Sequence, residues 1–259
     1  TSGYVSGLAD GRGVQTTFVR DARGLETSRT EAVGTTEART ITTTWHSTFR
    51  LPLTITRPGR STSFTYDSAG RMLTRTETDA VSGATRRWTH TYNSQGLLAT
   101  VDGPRADVAD TTTYSYSPQG NLASVTNARG QVTQYTAYDP HGRLLSMTDP
   151  NGLITAFTYD LRGRPLTRNV GGQLTTFSYT ASGQLLRTTQ PDGTWVERQY
   201  DAAQRWVSTG GNAGPISYYT LDANGQRTWE PRYENYNDVQ GHGWTYDAPA
   251  RVLTEVDAQ

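Results

Sequence analysis

Tyr138-Asp139-Pro140-His141-Gly142-Arg143 is followed, 21 positions later (159 − 138), by Tyr159-Asp160-Leu161-Arg162-Gly163-Arg164. Both stretches consist of an aromatic residue, Asp, two spacers, Gly and Arg. The same motif, with Asp relaxed to a small polar residue, recurs at intervals of 20 to 26 residues along most of the chain. A fixed period of this length indicates a repeat array, in which each unit contacts its neighbours along the chain. The period therefore decides the fold class before any single residue is considered.

Nine copies of the motif lie between Tyr66 and Asp247, and two weaker ones precede them. The weaker copies begin at Arg20 and Trp45, and the second has Phe49 at the position of Gly. Eleven copies from position 20 to position 246 give a mean step of (246 − 20)/10, or 22.6 residues. One copy begins with Leu instead of an aromatic residue, and the motif residues for which we predict a structural role are Tyr66, Asp67, Gly70, Arg71, Tyr92, Gly96, Tyr116, Gly120, Tyr138, Asp139, Gly142, Arg143, Tyr159, Asp160, Gly163, Arg164, Tyr179, Gly183, Tyr200, Asp201, Asp222, Gly225, Tyr246 and Asp247.

One repeat is predicted to contain two short strands and two turns. Residues 155–159 have the composition of a strand, residues 160–163 that of a turn, and residues 164–170 that of a return strand. The Asp is expected to accept hydrogen bonds from the turn's own amides, and the Gly to take a positive φ. A second turn recurs between repeats, at 127–130, 149–152 and 190–193. Because the Asp residues recur at one phase of the period, we interpret them as turn formers and not as catalytic carboxylates.

Strand alternation places each repeated tyrosine on the same face as the residue two positions earlier, as for Phe64 with Tyr66 and Phe157 with Tyr159. We expect these rings to stack into aromatic ladders from repeat to repeat. The opposite face is mostly Thr, Ser, Arg and Gln, and only 34% of the chain is hydrophobic, with a mean hydropathy of −0.67. A sandwich needs two apolar inner faces. The sequence therefore predicts an all-β fold in which short antiparallel strand pairs form a curved single-layer β-shell.

The composition excludes several kinds of site. The chain has 24 Lys plus Arg, all of them Arg, against 24 Asp plus Glu, with no basic run, which argues against nucleic-acid binding. It has no Cys, which excludes disulfides, zinc thiolates and thiol nucleophiles. The four histidines, at positions 46, 90, 141 and 242, lie in different repeats without the spacing of a metal site. We therefore predict no catalytic residues, no metal, no cofactor and no enzymatic activity.

The Tyr-Asp-x-x-Gly-Arg motif, with an intervening Asp149-Pro150-Asn151-Gly152 turn, resembles the RHS or YD repeat. Trp45-His46-Ser47-Thr48-Phe49-Arg50-Leu51-Pro52 resembles the stretch that this family often carries before a strong copy, and the resemblance extends over residues 20–259. It implies a YD-repeat strip that spirals into a hollow shell. Such shells are those of bacterial polymorphic toxins, of insecticidal toxin complexes and, more distantly, of animal teneurins. In the bacterial members, the shell holds a C-terminal cytotoxic domain.

On this resemblance we expect one repeat array over residues 1–259, with 1–19 as a partial repeat or the start of the array. We expect the array to form a section of a longer shell. The expected partners are the remaining shell repeats of the parent protein and an enclosed toxin domain. The expected location is outside the producing cell, through a bacterial secretion system, or at the cell surface. The family's core motif linked to autoproteolytic release is not in this sequence.

Two alternative hypotheses stay open. A surface adhesin or glycan-binding array would expose the aromatic rings to solvent, whereas a structural ladder would cover them. A β-propeller is also compatible with four strands in about 42 to 45 residues, although alternate repeats do not differ in composition as blades would require. Two irregular stretches, at 103–110 and 233–244, are predicted to enlarge inter-repeat loops, which is where binding would be placed.

Overall fold

The computed structural model of the protein describes residues 3–212, 217–235, 238–246 and 252–258, with side chains for 3–212, 217–230 and 243–246. Every regular element in these residues is a β-strand. The strands are β1 Gly7–Ala9, β2 Gln15–Arg20, β3 Glu26–Val33, β4 Arg39–Trp45, β5 Pro52–Arg57, β6 Arg60–Tyr66, β7 Met72–Asp79, β8 Thr85–Tyr92, β9 Leu98–Asp102, β10 Thr112–Tyr116, β11 Leu122–Thr126, β12 Val132–Tyr138, β13 Leu144–Thr148, β14 Ile154–Tyr159, β15 Pro165–Val170, β16 Gln173–Tyr179, β17 Leu185–Thr189, β18 Trp195–Tyr200, β19 Trp206–Gly211, β20 Ser217–Tyr218, β21 Thr220–Leu221, β22 Arg227–Asn235, β23 Asp238–Tyr246 and β24 Val252–Ala258.

The chain divides into two compact units, Thr1–Gln134 and Tyr135–Gln259, and the division falls within β12. In the first unit, each strand from β1 to β12 pairs with the next one, always antiparallel. A propeller blade has four strands and then a break in the pairing. The unbroken meander therefore excludes the propeller hypothesis for this unit.

The second unit contains two meanders. Strands β13 to β20 pair consecutively, and β21 to β24 form a four-stranded antiparallel sheet. The predicted loop enlargement at 233–244 is wrong for the described residues, because β22 and β23 form a long hairpin in which Trp229 is opposite Gly243. These residues depart from the period, which suggested a loop, but ladder hydrogen bonds come from the backbone and need neither the motif nor a β-forming side chain. The other predicted enlargement, at 103–110, is an irregular loop between β9 and β10.

Strands β14 and β15 show how one repeat forms. Phe157 is opposite Arg168 and Thr158 is opposite Thr167. Between the strands, the amide of Asp160 donates to the carbonyl of Arg164 at 2.9 Å. The predicted strand, turn and return strand are confirmed here. A second bond in the same turn runs from the amide of Gly163 to the carbonyl of Asp160. The inter-repeat turns that begin at residues 127, 149 and 190 close with the same two backbone hydrogen bonds, so both turns of a repeat share one geometry.

The two faces of the strands differ in chemistry. Phe64 and Tyr66 stack with ring centroids 6.5 Å apart, as do Phe157 and Tyr159, which confirms the predicted shared face. The residue before each repeated aromatic points to the other face, where hydroxyl groups pair across strands. These pairs, at 2.6 to 2.7 Å, are Thr44 with Thr54, Thr65 with Thr74, Thr91 with Thr100, Ser115 with Ser124 and Thr158 with Thr167.

No hydrophobic side chain is buried among the residues whose side chains are described, and the buried polar ones are Thr62 and Ser208. A sandwich of comparable size would bury two apolar inner faces. The predicted all-β, single-layer YD-repeat fold is confirmed. Its stability comes from ladder hydrogen bonds, cross-strand pairs and contacts between neighbouring repeats.

Candidate functional site

A β-bulge marks the first residue of the repeated motif. The register shifts between Thr65 and Tyr66, so that Tyr66 is opposite Met72. A bulge twists the strand and redirects its side chains. The weaker copies at Arg20 and Leu221 therefore share one backbone geometry with the clear copies. The same shift occurs at the first residue of ten of the eleven copies, namely Arg20, Trp45, Tyr66, Tyr92, Tyr116, Tyr159, Tyr179, Tyr200, Leu221 and Tyr246.

The Asp of the motif is the hydrogen-bond acceptor of the turn. Asp160 Oδ1 accepts the amides of Arg162 and Arg164 at 2.9 Å, and Oδ2 accepts Arg164 Nε at 2.7 Å. The amide of Gly163, whose φ is 82°, donates to the Asp160 carbonyl at 3.0 Å. The amides two and four residues after the Asp donate in the same way to Asp67, Asp139 and Asp222, and the amide of Arg205 donates to Asp201. Asp247 lies outside the described residues.

The electrostatics of these turns keep the carboxylates charged. The pKa of Asp160 lies below its ordinary value, because the Arg164 amide donates to the carboxylate and the Arg164 side chain adds a second hydrogen bond, against an opposing effect of burial. The pKa of Asp67 is lowered in the same way by Arg71. A carboxylate with these donors already has both oxygens in use, so it is poorly placed to act as a general base.

The Arg of the motif connects its own turn to the next repeat. Arg143 Nε lies 2.5 Å from Asp139 Oδ2, and the guanidinium carbon lies 5.1 Å from the centre of the Tyr159 ring. Arg143 Nη1 also donates to the carbonyl of Asp160 at 3.2 Å. A Cβ atom on Gly163 would lie 3.1 Å from Nη1, so the glycine leaves room for the arginine as well as supplying a positive φ. The same guanidinium-over-ring contact, at 4.8 and 4.3 Å, relates Arg71 to Tyr92 and Arg164 to Tyr179.

The tyrosine hydroxyl provides a second link between repeats. Tyr92 Oη donates to the carbonyl of Met72, the first residue of the preceding return strand, at 2.8 Å. Six tyrosines make this hydroxyl bond, and an arginine also contacts the ring of three of them, Tyr92, Tyr159 and Tyr179. Tyr66 adds an edge contact with the His46 ring of the preceding copy, at 6.4 Å between centroids, but these rings do not form the predicted continuous ladder. Equivalent bonds of 2.7 to 2.8 Å run from Tyr66 to Pro52, Tyr116 to Leu98, Tyr159 to Leu144, Tyr179 to Pro165 and Tyr200 to Leu185.

Three copies depart from the motif in informative ways. At Trp45 the turn is one residue longer, because Trp45 is opposite Pro52, and Phe49, at the motif position of Gly, has no positive φ. His46 Nδ1 replaces the Asp there and accepts two amides at 3.1 and 3.2 Å. Gln204 occupies the Gly position of another copy with a φ of 65°. In the copy at 92, Asn93 Oδ1 accepts the two amides in place of Asp.

The sequence reasoning missed the two inter-repeat links. A signal for the arginine was present, because in the nine copies from position 66 onward Arg stands at the sixth position only where Asp stands at the second. That coupling indicates an ion pair within the turn. A signal for the hydroxyl bond was present too, because eight of these nine copies begin with Tyr and none with Phe, although both are good strand residues.

The candidate sites for other chemistry are not assembled. Within the part of the chain that the structure describes, no group of three or more His, Asp and Glu is arranged to hold a metal. His90, which replaces a ladder aromatic, has a buried Nδ1 without a hydrogen-bond partner among the described atoms. In the loop at 103–110, Asp110 accepts the amide of Arg105 at 2.9 Å, so the loop binds its own backbone. No described helix is long and apolar enough to cross a membrane.

The family model of the teneurin YD-shell matches residues 52–229, which is 178 of the 259 residues (229 − 52 + 1). The chain belongs to the teneurin YD-shell family. The match begins at the start of β5 and ends within β22, so this YD-shell assignment covers the copies from Tyr66 to Leu221. No curated protein matches the sequence.

Solved structures show the same YD-shell fold. The crystal structure of TcdB2-TccC3-Cdc42 superimposes with a TM-score of 0.57 at 14% identity, over 95% of this chain and 19% of that one. A TccC3 variant of the Photorhabdus luminescens Tc holotoxin pore superimposes with a TM-score of 0.63 at 15% identity, over 94% of this chain and 16% of that one. At this identity the likeness concerns the fold alone. The chain spans less than a fifth of the length of either structure.

Proposed function

We propose that the chain is a section of the wall of a hollow RHS/YD-repeat shell that encloses the cytotoxic effector domain of an exported bacterial toxin. The observation that carries the proposal is the single-layer sheet of a YD-shell chain, with no buried hydrophobic side chain among those described. A layer of this kind gains its stability along the repeat direction and leaves both faces free to border a space. The fold it shares with the toxin-complex structures adds support.

The role of the motif residues in this proposal is structural. Asp160 is fully engaged in its turn, Arg143 bridges two turns, and the Tyr159 hydroxyl is bonded to the preceding repeat. A side chain whose polar atoms are all satisfied within the fold is poorly suited to binding a substrate. We infer that the chain works without catalysis, cofactor or metal, and that its partners are neighbouring shell repeats and the enclosed domain.

The covered state of the repeat tyrosines favours this structural role over a glycan-binding array. Sugar recognition by aromatic residues needs a ring face open to the ligand, but Arg164 lies 4.3 Å from the centre of the Tyr179 ring and Arg71 lies 4.8 Å from that of Tyr92. The rings are also held at the hydroxyl end. The repeated stripe is thus occupied by contacts within the array.

Limited proteolysis of the protein at its full natural length tests the enclosure. The native protein is treated with thermolysin, and the survival of its effector domain is followed by mass spectrometry, with the isolated effector domain as the matched control. We expect the enclosed domain to survive conditions that digest the isolated one, and to become sensitive only when the strands unfold. Digestion of the two at equal rates would contradict enclosure.

A further inference from the structure

A depression of about 410 Å³ on strands β3 to β5 of the first unit is lined by charged side chains. Three of them are arginines, Arg29, Arg39 and Arg57, and the fourth is Glu31. Ile41 and Pro58 complete the lining. Apart from Pro58, in the turn between β5 and β6, the lining residues belong to strands, and none of them belongs to the repeated motif.

The charges in the depression do not balance. Glu31 Oε1 lies 3.0 Å from Arg29 Nε, and Glu31 Oε2 lies 2.5 Å from Arg39 Nε. Arg57 makes no hydrogen bond and no ion pair with the described side chains. The pKa of Glu31 is lowered, first by the hydrogen bond from Arg39 and then by the charges of Arg39, Arg29 and Arg57 against an opposing effect of burial. Arg29 Nε also lies 3.9 Å from Glu26 Oε1, beside the depression. Three arginines and two carboxylates leave a local net charge of +1 (3 − 2).

The fold gives no reason for Arg57. It closes the β5–β6 hairpin directly opposite Arg60, and like charges at opposed positions of an antiparallel pair destabilise it. Arg60 has a carboxylate 3.8 Å away on Glu77, but Arg57 has none. Arg29 Nε is buried and, despite its short distance to Glu31, has no aligned hydrogen-bond acceptor. The cluster therefore has unused donors and uncompensated charge facing one cavity.

We propose that this depression binds a tetrahedral oxyanion, a phosphate or sulfate group, through Arg57 and Arg39. The local excess of positive charge favours an anion, and the planar fork of guanidinium donors suits the oxygens of such a group. Glu31 lies beside Arg39 and competes with the anion for its guanidinium. The inference is independent of the proposed shell function, because it concerns three strands of one unit only.

Calorimetric titration of the protein with inorganic phosphate, at an ionic strength matched with sodium chloride, tests the proposal. We expect one saturable site per chain. Arg57→Gln should weaken it at least about tenfold, the loss of one charge-assisted hydrogen bond. Glu31→Gln removes the competing carboxylate and should tighten binding. Arg129→Gln makes the same charge change in an exposed turn, where Arg129 makes no side-chain hydrogen bond, and should leave the site unchanged.

Two results would overturn the inference. Equal weakening by the Arg57 and Arg129 substitutions would show that phosphate acts only on the overall charge. Loss of folding in Arg57→Gln without phosphate would show that Arg57 is a structural residue. We expect instead that this variant melts at or slightly above the wild-type temperature, because Arg60 loses a like-charged neighbour. A parallel titration with a sulfated polysaccharide distinguishes the two possible sources of the anionic group. If the polysaccharide competes with phosphate for the site, the natural ligand is a group on a polymer. If it does not compete, the natural ligand is a free anion, and either result agrees with the proposal.

Discussion

Replacing Tyr92 by phenylalanine removes one hydroxyl group and leaves the ring in place. The hydroxyl donates to the Met72 carbonyl at 2.8 Å, and the ring lies 4.8 Å from the Arg71 guanidinium carbon. A hydrogen bond of this kind contributes about 1 kcal/mol to stability. Because only the hydroxyl is lost, Tyr92→Phe should lower the free energy of unfolding of the array by that amount.

Tyr92→Ala removes the ring as well and sets the scale for the first variant. Burying about half of a tyrosine side chain, roughly 100 Å² at about 25 cal/mol per Å², contributes about 2.5 kcal/mol. The cation–π contact with Arg71 adds about 0.5 to 1 kcal/mol. Together with the hydroxyl bond, the alanine variant should lose about 4 kcal/mol, an upper estimate because the unfolded chain already buries part of its surface.

Amide hydrogen exchange on strands β7 and β8 is the assay, because a repeat array need not unfold in one step. A loss of about 1 kcal/mol speeds exchange about fivefold at the amides that open with this link. Tyr218→Phe is the matched control, since Tyr218 is 44% exposed and its hydroxyl makes no hydrogen bond with the described residues. Unchanged exchange in Tyr92→Phe, or an equal change in Tyr218→Phe, would refute the hydroxyl link between repeats.

Three further predictions concern two turn residues and the pH dependence of stability. Gln204→Gly should stabilise the protein by about 1 kcal/mol in urea unfolding, because Gln204 has a φ of 65° that glycine adopts without strain. Ala203→Gly, at a residue without positive φ, is the control and should destabilise the protein. If Gln204→Gly does not stabilise it, Gln204 is not strained. Asp160→Ala should melt at a lower temperature than Asp160→Asn, and both should melt below wild type. Asparagine keeps the acceptor for the two amides and loses only the ion pair with Arg164. Identical melting temperatures of the two variants would show that the amide bonds do not stabilise the turn. In the folded protein the pKa values of Asp67 and Asp160 lie below 3.8, the ordinary pKa of an Asp side chain. Their contribution to stability is therefore fully present above pH 3.8 and is lost as the pH falls through the pKa values of the folded state. The pKa of Tyr92, raised by burial above 10.0, gives stability that is present below pH 10.0 and lost above it, so a pH series of melting temperatures should fall at both ends.

Most of the repeat geometry could be predicted from the sequence because it is local. The strand composition, the turn at Asp160 and the positive φ at Gly163 depend on residues a few positions apart. The bridge from Arg143 to the next turn and the bond from the Tyr159 hydroxyl were not predictable in the same way. They depend on how far one repeat is displaced against the next, which the strand register sets and the motif does not contain.

The depression at Arg57 illustrates the same limit at longer range. Its residues come from three strands and the turn after β5, and none of them belongs to the repeated motif, so the motif does not reveal the cluster. The net charge of zero for the whole chain also conceals a local excess of +1 (3 − 2) at the depression. The turn at His46 shows a limit of the period itself. The period predicts a turn of the usual length there, but the loop of this copy holds one more residue.

Electron cryo-microscopy of the protein at its full natural length tests the central claim most directly. The account predicts a hollow body, with the strands of each unit in a wall one sheet thick and separate density for an enclosed polypeptide inside it. A solid disc with a central channel, or a wall in which a second layer covers these strands, would contradict it.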